Sequence, residues 1–471
     1  VTIQRWQKCF LKKRAMGNFI FYDTETSGLN KFFGQIFQFA AILTDETFRT
    51  LDQFEIRSRR MPHIVPDPGA MLVTNVTPQQ LESAEHSYYE FASRIRDKML
   101  EWSPAVFSGY NIFNFDEPFM RSMYYQNLYQ PYLSQTNGNK RVDVLPLVRA
   151  SEFLFPGCLE FPKNDNGKTS KRLEDIAPIN GFNNHNAHDA MGDVLATIHI
   201  AECIKNKAPL LWEKGLNASS RAGFNGELEG EDWFFAHDHN NGWPLTYPAV
   251  ELCKIDDGRN SLFYDLRYPL NDVPGNKPEA NFKGRNRPFR KIKCAEMPLI
   301  FKKDELNEIE IGGSYNFDQL DELTSDVRGN STVLDAALFY DEVQPDFEKS
   351  PHIEAQIYDD FDAFNRDQYL MEDFHLARPE ERLGIVTQMS DERFRSFALR
   401  IIYENFPEQM NEGKAEEFQR RIHDRINESD DVPWTTLDQA ISECDNLFAT
   451  VGGKNATVSI VKKYLQQLRT R

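Results

Sequence analysis

A chain of 471 residues, 40% hydrophobic and 13% aromatic, is too long for one core and is expected to divide into two or three globular domains. No apolar run approaches the roughly 18 residues that a helical membrane span needs, so no membrane role is expected. The net charge of −18 argues against a uniformly basic nucleic-acid binder, but an acidic exterior with one basic cleft could still draw in a polyanion.

The N-terminal stretch VTIQRWQKCFLKKRAMGN is basic, with no following hydrophobic segment and no secretory cleavage pattern. Residues 1–17 are therefore expected to form an extension outside the fold, with Met16 as the natural start. Strands are predicted at 19–24, 37–43, 52–58, 105–110 and around 142–145. Helices are predicted at 87–101, 116–127, 145–153, 172–177 and 188–206. This alternation gives an α/β domain over residues 18–206, without its strand order. Residues 207–354 read as β-rich with some helix: DWFFAHD (232–238), PAVELCKID (248–256) and SLFYDLRY (261–268) lie between Gly, Asn and Asp turns. From 355 to 471 the chain turns helical. Ser390 is read as the cap before a stripe of Phe394, Phe397, Ala398, Ile401 and Ile402, and Asn405-Phe406-Pro407 ends that helix. Further helices are predicted at 413–427, 436–449 and 457–469. Cys9, Cys158, Cys203, Cys253, Cys294 and Cys444 show no paired spacing, so neither a zinc site nor a disulfide framework is expected, and a reducing cytoplasm fits.

Three short runs carry the chemistry. FIFYDTETSG (19–28) holds Asp23 and Glu25, GYNIFNFDEPFM (109–120) holds Asp116, and NAHDAMGDVLATI (186–198) holds His188 and Asp193. Residues i and i+2 of a strand share a face, so Asp23 and Glu25 can project together beyond the apolar run Phe19–Tyr22. Asp193 is placed on a helix with an apolar stripe of Met191, Val194, Leu195 and Ile198, and His188 near its start. Converging carboxylates repel one another unless a hard divalent cation sits among them. Two such ions about 4 Å apart can offset the charge that builds up as a phosphodiester is cleaved. An imidazole with a pKa of about 6.5 suits removal of a proton from the attacking water. The aromatics around Asp116 (Tyr110, Phe113, Phe115, Tyr124, Tyr125, Tyr129 and Tyr132) are read mostly as packing residues. The basic run from Lys277 to Lys293, including Lys283 and Arg287, is a candidate for contact with a phosphate backbone.

An Asp-x-Glu at the end of a first strand, a later Phe-Asp and a final His-x-x-x-x-Asp resemble the DEDDh group of metal-dependent 3′–5′ exonucleases. VPDPGAMLVTNVTPQQ (65–80), the Tyr/Phe/Asn-rich stretch 109–132 and RVDVLPLVRASEFLFPGCLEFPKNDNGKTSKRLEDI (141–176) are more specific. They resemble the bacterial exodeoxyribonuclease I family, strongly over 18–206 and more weakly beyond. The resemblance implies a ribonuclease H-like nuclease domain, an SH3-like β domain and a C-terminal helical domain closing a cleft around one strand. It implies two Mg²⁺ ions, replaceable by Mn²⁺, held by Asp23, Glu25 and Asp193 with Asp116 assisting, and His188 as general base. Glu25, Arg149 and Arg172 are placed against substrate. The implied partners are single-stranded DNA and the acidic C-terminal tail of a single-stranded DNA-binding protein; a monomer is expected. An RNA-preferring relative and a silent single-strand scaffold are the alternatives.

Overall fold

The computed structural model describes residues 17–470 apart from 75, 165, 184–188, 241–242, 271–286, 312–314, 343–347, 361, 430 and 451–455. Nearly all of the N-terminal extension, together with His188 and Lys283, lies outside the described residues.

The first sheet contains β1 (Phe19–Thr26), β2 (Ile36–Thr44), β3 (Thr50–Arg57), β4 (Val106–Gly109) and β5 (Lys140–Asp143), in the order β3-β2-β1-β4-β5. β2 runs antiparallel to β1 and β3, while β1, β4 and β5 are parallel. β2, IFQFAAILT, is buried throughout, as expected of a strand covered on both faces. Alternate residues serve two cores. Phe19, Phe21, Ala40 and Ile42 pack with the helices Val144–Leu154 and Ala190–Lys207. Ile20, Tyr22, Phe39, Ala41 and Leu43 pack with Tyr88–Trp102 and with Leu437, Val461 and Leu465 from the C-terminal helices. Gly109 ends β4 where a Cβ would come within 2.5 Å of the Tyr22 carbonyl oxygen, so the close approach of β4 to β1 requires glycine there.

The apolar stripe of the helix Ala190–Lys207 differs from the one expected. Val194 is buried, but Leu195 is 42% exposed, and Met191 and Ile198 are half-buried. The buried row is Ala190, Val194, Thr197, Ala201 and Ile204. The helix lies directly on β1 and β2, and so close an approach favours small side chains over the largest apolar ones.

The second sheet is antiparallel throughout, with β6 (Phe234–Asn240), β7 (Trp243–Ile255), β8 (Asn260–Asp265), β9 (Phe289–Lys293) and β10 (Leu299–Phe301) in the order β10-β6-β7-β8-β9. The helices Pro209–Ala218, Arg221–Leu228, Phe317–Gly329 and Ser331–Glu342 flank it in sequence. The rest is helical: Asp362–Leu376, Pro379–Val386, Glu392–Asn405, Glu412–Ile426, Leu437–Thr450 and Ala456–Leu468. Ser390 is not the cap of Glu392–Asn405. Asp391 accepts from the Arg393 amide at 2.8 Å, and the Ser390 hydroxyl donates to Asp367 at 2.8 Å. An aspartate both accepts the free N–H and places negative charge at the positive end of the helix, so it wins over the neighbouring serine.

Candidate active site

β1 delivers Asp23 and Glu25 at its C-terminal end, opposite Ala40 and Gln38 of β2. The helix Ala190–Lys207 brings Asp193 against them. Carboxylate oxygens of Asp23, Glu25 and Asp193 all lie within 4.8 Å of one another, Glu25 buried and the other two half-buried. Asp116, in the first turn of the helix Asp116–Gln126, is buried and accepts from Thr24 Oγ1 at 2.7 Å. Thr24 thus ties the residue between the two β1 carboxylates to the fourth acid, a link not foreseen from sequence. A second unforeseen residue is Asp143. Its buried carboxylate accepts from the amides of Asn111 (2.8 Å), Phe113 (3.1 Å) and Leu145 (3.0 Å), which holds the turn leading to Asp116.

The electrostatics of the group follow from burial and crowding. Burial and then the charges of Asp116, Glu25, Asp193 and Asp189 push the Asp23 carboxyl well above its ordinary range. Burial and the neighbouring aspartates raise Glu25 to about 8, against a smaller opposing pull from Arg57. Asp116 rises to about 7 through burial, despite the Thr24 hydrogen bond. Such a set is unstable as bare anions and fits a divalent cation, because hard oxygen donors are what Mg²⁺-class ions take and a cation removes the repulsion.

The other sequence candidates fall in different places. Arg149 is half-buried, and its charge acts on Tyr110 and Asp143. Arg172 is exposed, 3.4 Å from Glu174. Arg287 is half-buried two residues before β9. Among the described residues of the basic run, three are engaged in ion pairs: Arg290 with Asp265 (3.2 Å), Lys291 with Asp256 (2.7 Å) and Lys293 with Glu296 (2.5 Å). Tyr124, Tyr125 and Tyr129 are core residues, as read from sequence.

The C-terminal helical segment closes over the loop that follows Glu25. Asn30 Nδ2 donates to the Pro433 carbonyl at 2.7 Å, and Phe33 packs against Trp434 and His352. Arg400 donates to both the side chain and the carbonyl of Gln126, at 3.0 and 2.6 Å.

A mixed five-stranded sheet thus gathers carboxylates from its central strand and from a covering helix into a group that could hold a divalent cation. Comparison with known proteins finds that residues 20–201 match a family described as Exonuclease, and residues 351–469 match one described as Exonuclease I C-terminal domain. Exodeoxyribonuclease I of Buchnera aphidicola (Acyrthosiphon pisum strain) is 39% identical over 198 residues, 42% of this chain and 48% of that protein. Exodeoxyribonuclease I of Escherichia coli is 36% identical over 202 residues, 42% of each chain. The alignment thus spans under half the length of these relatives. The fold extends further. E. coli exonuclease I in complex with a dA16 oligonucleotide superposes with a TM-score of 0.81 at 24% identity, covering 96% of this chain and 98% of that one. The moderately thermophilic exonuclease I from Methylocaldum szegediense gives 0.80 at 22%, covering 96% and 99%.

Proposed function

We propose that this chain is a single-strand-specific 3′–5′ exodeoxyribonuclease that releases 5′-mononucleotides and serves DNA repair or recombination. The observation that carries the reading is the convergence of Asp23, Glu25 and Asp193 within 4.8 Å on an exonuclease-family domain. The solved E. coli relative with a bound dA16 strand supports single-stranded DNA as substrate. We assign residues 18–206 to the nuclease, 207–354 to an SH3-like β-rich domain built on the second sheet, and 355–471 to the helical domain. In this reading the contacts of Asn30, Phe33 and Gln126 with the helical domain close a cleft that admits one strand. The closed cleft would hold the strand over many cycles, so the enzyme works processively.

Asp23, Glu25 and Asp193 would hold two Mg²⁺ ions, with Mn²⁺ able to substitute and Asp116 assisting. Bound there, the ions supply Lewis-acid stabilisation of the charge that develops on the phosphate. Thr24 holds Asp116 in place, Glu25 also faces the substrate, and His188 accepts the proton of the attacking water. Arg149, Arg172, Lys283 and Arg287 are assigned to the phosphate backbone. Cys158, Cys203, Cys294 and Cys444 are free thiols, which fits a reducing cytoplasm. No helix among the described residues is long and apolar enough to cross a membrane. The chain acts as a monomer and takes the acidic tail of a single-stranded DNA-binding protein as partner.

The test is incubation with Mg²⁺ and 5′-labelled single-stranded DNA, duplex DNA and single-stranded RNA, each with a chelator control. A metal-dependent ladder shortening from the 3′ end on single-stranded DNA alone is the expected result. Preferential loss of RNA would move the assignment to the ribonuclease branch. Binding without cleavage would leave a scaffold. His188→Ala should lower turnover roughly 10²–10⁴-fold, the usual contribution of a general base, and a near-normal rate would remove that role.

A further inference from the structure

The helix Ala190–Lys207 begins in a way that cation binding by itself does not require. Asp189 flanks its start with the extended backbone usual for a cap, yet its carboxylate makes no hydrogen bond to the helix's first amides. An aspartate there ordinarily accepts from those amides. Here the carboxylate turns to the sheet instead. Its Oδ1 accepts from Gln38 Nε2 at 2.9 Å and faces the Arg57 guanidinium at 3.5 Å.

The partners are themselves held. Gln38 on β2 and Arg57 on β3 stand opposite each other in the strand register, and Gln38 also stands opposite Glu25 of β1. Gln38 is 1% exposed, and its amide nitrogen donates to Glu55 (2.9 Å) as well as to Asp189. An amide nitrogen has two N–H donors, so two carboxylates use both. Arg57 reaches Glu55 at 3.6 Å. The main chain completes the link, because the Asp193 amide donates to the Asp189 carbonyl at 3.0 Å. Wherever Asp189 is held, Asp193 follows one turn later.

We propose that Gln38, Arg57 and Asp189 form a clasp that fixes the start of this helix on the sheet, so that Asp193 meets Asp23 and Glu25 in register. The inference rests on the nuclease reading for its effect on turnover. Asp189 is a positioning residue: its carboxylate stands outside the trio of oxygens that converge within 4.8 Å. The clasp links β2 and the edge strand β3 to a site built on β1, and gives the buried Gln38 amide its partners.

The test compares Asp189→Ala with Asp189→Asn in the full-length chain. Mn²⁺ affinity is measured by paramagnetic titration without DNA, kcat and KM on a labelled single strand, and folding by thermal melting. Asn keeps an oxygen that accepts from Gln38, whereas Ala does not. Asp189→Ala is expected to lose about 10–100-fold in Mn²⁺ affinity and kcat, the usual cost of removing a residue that orients a ligand, with KM little changed. Asp189→Asn is expected to recover most of both. Wild-type affinity and kcat in Asp189→Ala would overturn the clasp. Equal losses in the two variants would overturn positioning in favour of charge. Should Asp189→Ala fail to fold, Arg57→Met probes the clasp from β3: weaker Mn²⁺ binding is expected, and wild-type binding would overturn it. The titration needs no cleavage, so it judges the clasp even if the nuclease reading fails.

Discussion

The two five-stranded sheets treat buried acid in opposite ways. In the second sheet, Asp265 at the end of β8 is fully buried and meets two guanidiniums, Arg267 at 2.6 Å and Arg290 at 3.2 Å, which both lie over the Tyr247 ring. In the first sheet, Asp23, Glu25, Asp116 and Asp193 crowd one end of β1, where burial and then the neighbouring acids raise the proton affinity of Asp23 and Glu25, with Arg57 the countercharge that Glu25 feels. A compensated buried carboxylate holds a structure together; an uncompensated group of them needs a cation.

That contrast can be broken most sharply at Asp23. Asp23→Asn should abolish turnover while single-strand binding is partly retained and the melting temperature stays level or rises, since a repelling charge is removed. A marked loss of stability would mean that Asp23 is a structural acid like Asp265. The converse substitution, Asp265→Asn, should cost on the order of 3–5 kcal/mol in chemical denaturation, because it strands the buried Arg290 guanidinium. Cleavage per folded molecule should be unchanged, and a loss of activity beyond the loss of folded protein would tie the second sheet to the chemistry. The smallest effect concerns pH. Glu25 rises to about 8 and Asp116 to about 7 in the folded chain, so the folded state holds protons that the unfolded chain releases from its ordinary carboxyls. Their contribution to stability is full below about pH 4 and is lost as pH rises through 7 to 8. The metal-free protein should therefore melt a few degrees lower at pH 8.5 than at pH 6, and Mg²⁺ should narrow the gap. A metal-free melting point that rises across that interval would contradict the uncompensated cluster.

Much of this molecule was legible in the chain. β1 and β2 could be read because central strands are continuously apolar, and Asp23 and Glu25 stand out as the charges that interrupt such a run. Asp193 followed from the His-x-x-x-x-Asp spacing and its place in a helix, although the buried row of that helix was misread, because Leu195 is the larger hydrophobe yet is exposed, whereas the small Ala201 is buried. The polar partners were not legible. Thr24 and Asp116 are 92 positions apart, and Gln38 and Asp189 are 151 apart. A threonine or glutamine in a strand has no pattern that names its partner.

What the sequence by itself determined was the local chemistry: which segments are strands or helices, and which residue types could hold a cation. Periodicity and charge are properties of neighbours in the chain, so they survive without a fold. Only the tertiary structure decided how closely the carboxylates converge, which acids are neutralised by arginine, and where the C-terminal helices close over the loop after Glu25. Those outcomes depend on distances of a few ångströms between residues far apart in sequence, and packing alone sets such distances.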